Sequence, residues 1–128
     1  MSAMSDFLEL EVLDHVLGTG AFTMPSTVQI GLSTGSFNDD NSGTELSGNG
    51  YARVAITFAA ASSGSASTNA TVTFPTATGS WGSVSHWGIF NATTGGDLLI
   101  HGSFATPKTI TSGDVLRINS GDLTVTAA

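Results

Sequence analysis

Apolar and polar positions alternate along most of the chain after residue 25. Val28, Ile30 and Leu32 alternate with Gln29 and Gly31, so 27–33 predicts a strand with one buried face. Over 51–58, Ala52, Val54, Ile56 and Phe58 fall on one side, with Tyr51, Arg53 and Ala55 on the other. Ala70, Val72 and Phe74 alternate with threonines over 69–74, and Pro75 ends that run. Two further strands, 84–90 and 97–105, flank Asn91-Ala-Thr-Thr-Gly-Gly96, which predicts a hairpin. The last pair, 115–118 and 123–126, is joined at Ser120-Gly121-Asp122. Residues 34–50 and 59–68 lack any such pattern and predict loops.

The period changes only at the start. Over 6–17, Leu10, Leu13 and Leu17, with Phe7 and Val16, recur at spacings of three and four. That is one apolar face of a helix. Asp6 and Glu9 suit a capping box, and Gly18 and Gly20 suit a left-handed stop. Four of the ten acidic residues lie here: Asp6, Glu9, Glu11 and Asp14. Two readings are open for this face. It packs on the sheet with its acidic side in solvent, or part of it meets another subunit.

One helix and seven or eight short strands pose a burial problem. A single sheet of that size would leave a large apolar face uncovered, whereas two facing sheets cover each other. The expected fold is therefore mainly β: an antiparallel β-sandwich, with the jelly roll as a variant, preceded by a helical arm over 1–24. The sandwich domain is expected to span 25–128. Trp87 is expected in its core. Trp81, beside a glycine at a strand edge, joins Leu10, Leu13 and Leu17 as a candidate partner contact.

Composition narrows the function classes. Charged residues make up 10% of the chain, well below the about 25% of ordinary domains, and Ser, Thr, Gly and Asn take their place. Such a surface suits a protein packed in an assembly. The net charge is −7, and Arg53, Lys108 and Arg117 are the only Lys or Arg residues, too few for a phosphate-binding patch or an anionic membrane. No apolar run is long enough to span a bilayer, and the N-terminus does not read as a secretory signal. With no cysteine there is neither disulfide nor thiolate metal site.

Candidate chemistry is sparse. His86 and His101 fall in strands expected to be neighbours, but no third ligand stands at a zinc-like spacing. Asn38-Asp39-Asp40-Asn41 offers oxygens to a hard cation, yet it lacks the glycine and terminal glutamate of a calcium loop. There is no Gly-x-Ser-x-Gly elbow, and Gly18-Thr-Gly20 follows a helix instead of preceding one. The residues therefore predict no enzyme, no cofactor and no metal.

A resemblance supplies what the residues leave open. The ordered series Thr44-Glu-Leu-Ser-Gly48, Tyr51-Ala-Arg53, Val72-Thr-Phe-Pro75, Trp81-Gly82, His86-Trp-Gly-Ile-Phe90 and Thr94-Gly-Gly96 resembles a family of small tailed-bacteriophage structural proteins. Leu13-Asp-His-Val-Leu17-Gly-Thr19 and Phe22-Thr-Met-Pro25 extend the likeness through the arm. Members are often labelled tail fibre proteins, and some are head decoration (cement) proteins. The resemblance implies a non-enzymatic virion component, assembled in the bacterial cytoplasm. Its implied partners are the major capsid protein and copies of itself, with a trimer favoured. A tail or fibre part and a carbohydrate-binding adhesion module are the alternatives.

Overall fold

The computed structural model describes residues 2–127. Nine strands and one helix follow in the order β1 (Ser2–Met4), α1 (Asp6–Val16), β2 (Val28–Ser33), β3 (Val54–Ile56), β4 (Ser65–Ser67), β5 (Val72–Thr73), β6 (Gly82–Phe90), β7 (Leu98–Ile110), β8 (Arg117–Ile118) and β9 (Thr124–Thr126). The fold is mainly β with an N-terminal helix, as the alternation predicts. Five strands form one antiparallel sheet in the order β1-β7-β6-β2-β3. The remaining strands form two separate two-stranded ladders, β4–β9 and β5–β8, rather than the one continuous second sheet that a sandwich would have.

Register explains the layers. Ile30 faces Ile89 across the β2–β6 pair and Leu32 faces Trp87, so four large side chains share one face. They enter the same core cluster as Val72 and Ile118 of the β5–β8 ladder and the flanking Phe74, Leu116 and Leu123. Trp87 is buried there, as expected. Trp81 is buried too, with its indole N–H donating to the Asn49 carbonyl at 2.9 Å and its ring edge-on to Tyr51. This removes Trp81 from the candidate contacts, because nearly all of its surface is already covered within the chain.

The opposite face of the sheet carries Gly31 across from Gly88 and Ser33 across from His86. Loop 34–50 lies over it. Phe37 from that loop packs edge-on against Phe90 at 5.6 Å and, with Leu98, forms a second small core. A Cβ on Gly88 would sit 2.8 Å from Leu98, 3.1 Å from the Phe90 ring and 3.3 Å from the Phe37 ring, so glycine leaves the room in which this cluster and the loop's Phe37 pack. The polar composition of 34–50 predicts a solvated loop; its one phenylalanine makes it a cover.

The helix is present, but its start and its packing differ from expectation. Ser5, not Asp6, is the N-cap: its hydroxyl oxygen accepts the Leu8 N–H at 3.2 Å and donates to the Leu98 carbonyl. The Ser5 N–H donates to the Leu99 carbonyl and the Asp6 N–H to the Asp39 carbonyl. Helix, sheet and loop are thereby fastened at one point. Gly18 takes a left-handed φ of 78°, as a C-terminal stop requires. Leu8 is the one buried helix residue, while Leu10, Leu13, Val16 and Leu17 are exposed. The apolar face therefore does not pack on the sheet.

Candidate assembly surface

Two features of the molecule carry functional information, and they differ in kind. One is the outward face of the helix. The other is a polar clamp built from the residues of the sequence motifs.

On the helix, Leu10, Leu13 and Leu17 form a stripe nearly opposite Leu8, because 3.6 residues per turn place them on the far arc. Their exposures are 64%, 55% and 71%, and Val16 extends the patch at 72%. Met24, just beyond the helix, is exposed at 82%. Five of the six large exposed apolar side chains among the described residues thus lie in the first 24 positions. Scattered exposed leucines are ordinary; these lie together along one face of the helix. The flanks of the stripe are acidic, with Asp14 on one side, Glu9 on the other and Asp6 at its N-terminal end, all exposed.

The clamp centres on Arg53. Its Nε and Nη2 donate to the two carboxylate oxygens of Glu45 at 2.9 and 2.7 Å, a bidentate pair. Its Nη1 donates to the carbonyls of Ala92 and Gly95 at 2.9 and 2.8 Å. The guanidinium also lies 3.6 Å above the Phe90 ring. Tyr51 donates to Glu45 at 2.5 Å and accepts the Leu32 N–H at 2.9 Å. That second bond has a structural cause. Strand β3 pairs with β2 only up to Ile30, so the Leu32 N–H would otherwise lack a ladder partner. A Cβ on Gly31 would come within 2.7 Å of Glu45 and 3.0 Å of Tyr51, which is why the strand is bare beneath the pair.

Burial, reinforced by the bond to Glu45, pushes the Tyr51 hydroxyl far above its ordinary pKa of 10.0. A raised folded-state value means that the native phenol stays protonated while the unfolded one ionises. This contribution to stability is complete below pH ~10 and is lost as pH rises beyond it. Tyr51 is the only tyrosine, so phenolate absorbance follows it directly. Ionisation is expected only together with alkaline unfolding, and Tyr51→Phe is expected to flatten that pH dependence. A native phenol titrating near 10 would refute the burial argument.

The remaining polar candidates are occupied within the fold. Strands β6 and β7 do pair, placing His86 opposite Ser103 and His101 opposite Gly88. His86 is bonded to Ser85 at 2.7 Å, and His101 to Asp39 at 2.6 Å. Among the described residues, no group of three metal-ligating side chains occurs. In the Asn38–Asn41 loop, Asp40 accepts the Ser42 N–H at 3.0 Å, and hydrogen bonds from Ser42 hold its carboxyl below the usual range. Asn41 accepts the Leu98 N–H at 3.1 Å. These oxygens serve as turn and docking groups.

Sequence reasoning found the helix residues but missed the clamp as a unit. Its members stand in separate motifs, Thr44–Gly48, Tyr51–Arg53, His86–Phe90 and Thr94–Gly96, which the fold brings together. The described helix is too short to cross a membrane. No curated protein matches the chain. A family model described as "Podophage GP4 fiber I protein gp80" matches residues 3–126, nearly the whole length. The chain thus belongs to the Podophage GP4 fiber I protein gp80 family, and it is a structural protein of a tailed bacteriophage.

Proposed function

We propose that the protein is a non-enzymatic subunit of the phage surface, working in many copies that decorate and stabilise the head shell. The outward Leu10–Leu13–Leu17 stripe carries this reading. It is apolar, contiguous and turned away from the chain's own core, so it gains only by meeting another protein. A compact β domain suits a decoration protein, attached as an oligomer, with a trimer favoured. Multiple weak contacts then act together, and each chain needs only a modest one.

The family's description favours a second reading, a fibre component of the virion. Co-sedimentation with expanded, undecorated phage heads separates the two. Saturable binding at a fixed ratio to the shell subunit is expected for decoration, with Leu13→Asp binding at least tenfold more weakly. Binding to tails or host cells, with none to heads, would replace decoration by the fibre reading. Leu13→Asp is also expected to leave the fold intact, since that side chain is half exposed, and to lower the sedimentation coefficient.

A further inference from the structure

Of the three cations, Arg53 is consumed by the clamp. The other two, Lys108 and Arg117, are exposed and make no ion pair among the described residues. Both line one groove of about 150 Å³ between the end of β7 and β8. Its floor is apolar, made by Phe104 with the buried Leu116, Ile118 and Leu123, and among the described residues Asp122 is the only acid on its wall. The groove thus has an apolar floor with a net positive rim. The helix stripe has the opposite character, leucines flanked by the carboxylates of Asp6, Glu9 and Asp14.

We propose that the groove seats the helix of a second copy of this chain, with leucines on the apolar floor and Lys108 and Arg117 meeting the flanking acids. This deepens the assembly role proposed above and rests on it.

Three observations favour a second copy as occupant. The chain is strongly acidic, and this groove holds the only Lys and Arg without an ion pair among the described residues, so charge complementarity selects an acidic segment. The helix is the densest acidic segment, with four of the ten acids over Asp6–Asp14. It does not lie in its own groove, since Leu10, Leu13 and Leu17 are exposed and none of them lines it. Ser5 and Asp6 fix its start to Leu98, Leu99 and Asp39, whereas the groove begins at Phe104, about 17 Å further along β7 at strand rise. The contact must form in trans. Because helix and groove are different surfaces, it is heterologous, and copies close into a ring or extend as a row.

Sedimentation velocity on the full chain tests this with two variants. Leu13→Ser with Leu17→Ser spoils the helix without changing charge, and Lys108→Glu with Arg117→Glu spoils the groove. Each alone is expected to weaken self-association at least tenfold. Mixed one to one, they are expected to form heterodimers and nothing larger, because one intact helix meets one intact groove. Raised salt should weaken the wild-type assembly. Cooperative melting, compared with wild type at a concentration where all three are monomeric, shows that both variants are folded. If the groove variant assembles like wild type while the helix variant does not, the groove is not the seat, although the helix remains an assembly contact. If the helix variant assembles normally, the helix role fails with it. A wild type that stays monomeric overturns the inference and leaves head binding to its own test.

Discussion

Arg53→Met is expected to destabilise the protein by about 3–5 kcal/mol, the usual cost of breaking a buried ion pair from one side. The arginine is 7% exposed and its partner Glu45 only 23%, so neither charge is well hydrated when left alone. Methionine can still fill the space over Phe90. It cannot neutralise Glu45 or satisfy the Ala92 and Gly95 carbonyls. Loop 34–50 and the 91–97 turn should therefore come loose together. The melting temperature is expected to fall by roughly 10–20 °C for a domain of this size. Glu45→Gln in the same background should add little, since the pair is already broken. A loss within about 1 kcal/mol would mean that the guanidinium is held by water and contributes little, as exposed pairs do.

The same clamp shows what could be read from the sequence and what could not. Alternation located β2, β6, β7 and the hairpin between the last two, because the core face of each is apolar; β2 departs from the expected single buried face, since Gln29 and Ser33 on its other side are buried too. Strands β1 and β4 read Ser-Ala-Met and Ser-Ala-Ser, which carry almost no pattern. They are strands because Ile100–Gly102 and Thr124–Thr126 offer them edges, a tertiary effect that local preference does not encode. Strand β7 runs on through Pro107 to Ile110, beyond the expected end at 105. The ladder is irregular there: Val84 pairs with Lys108 and His86 with Ser103, so four residues bulge out and the proline costs no ladder bond.

The helix was legible as an element but not in orientation. Periodicity identifies an apolar arc without saying what lies against it. Here the anchoring of Ser5 and Asp6 turns the shorter arc at Leu8 inward and presents the leucine stripe to solvent. Pairing of Glu45 with Arg53 was equally hidden. The chain between them turns through left-handed residues at Gly48, Asn49 and Gly50, and nothing local announces where it returns.

Trp87→Ala is expected to cost about 3–5 kcal/mol through lost burial and the cavity left behind. Trp87 is 3% exposed, stands opposite Leu32 on one side and opposite Gly102 on the other, and shares its face with Ile30 and Ile89. Gly102 has no side chain to move into the space, so the cavity should persist instead of collapsing. The second tryptophan provides the contrast. Trp81→Phe keeps a ring against Tyr51 and gives up the indole bond to the Asn49 carbonyl, which still receives the Thr78 N–H. No buried acceptor is stranded, and the loss should be nearer about 1 kcal/mol. Urea unfolding of both variants measures the difference. Equal losses would show that the two indoles serve the core alike, and that the opening at Gly102 is filled by some other movement of the sheet.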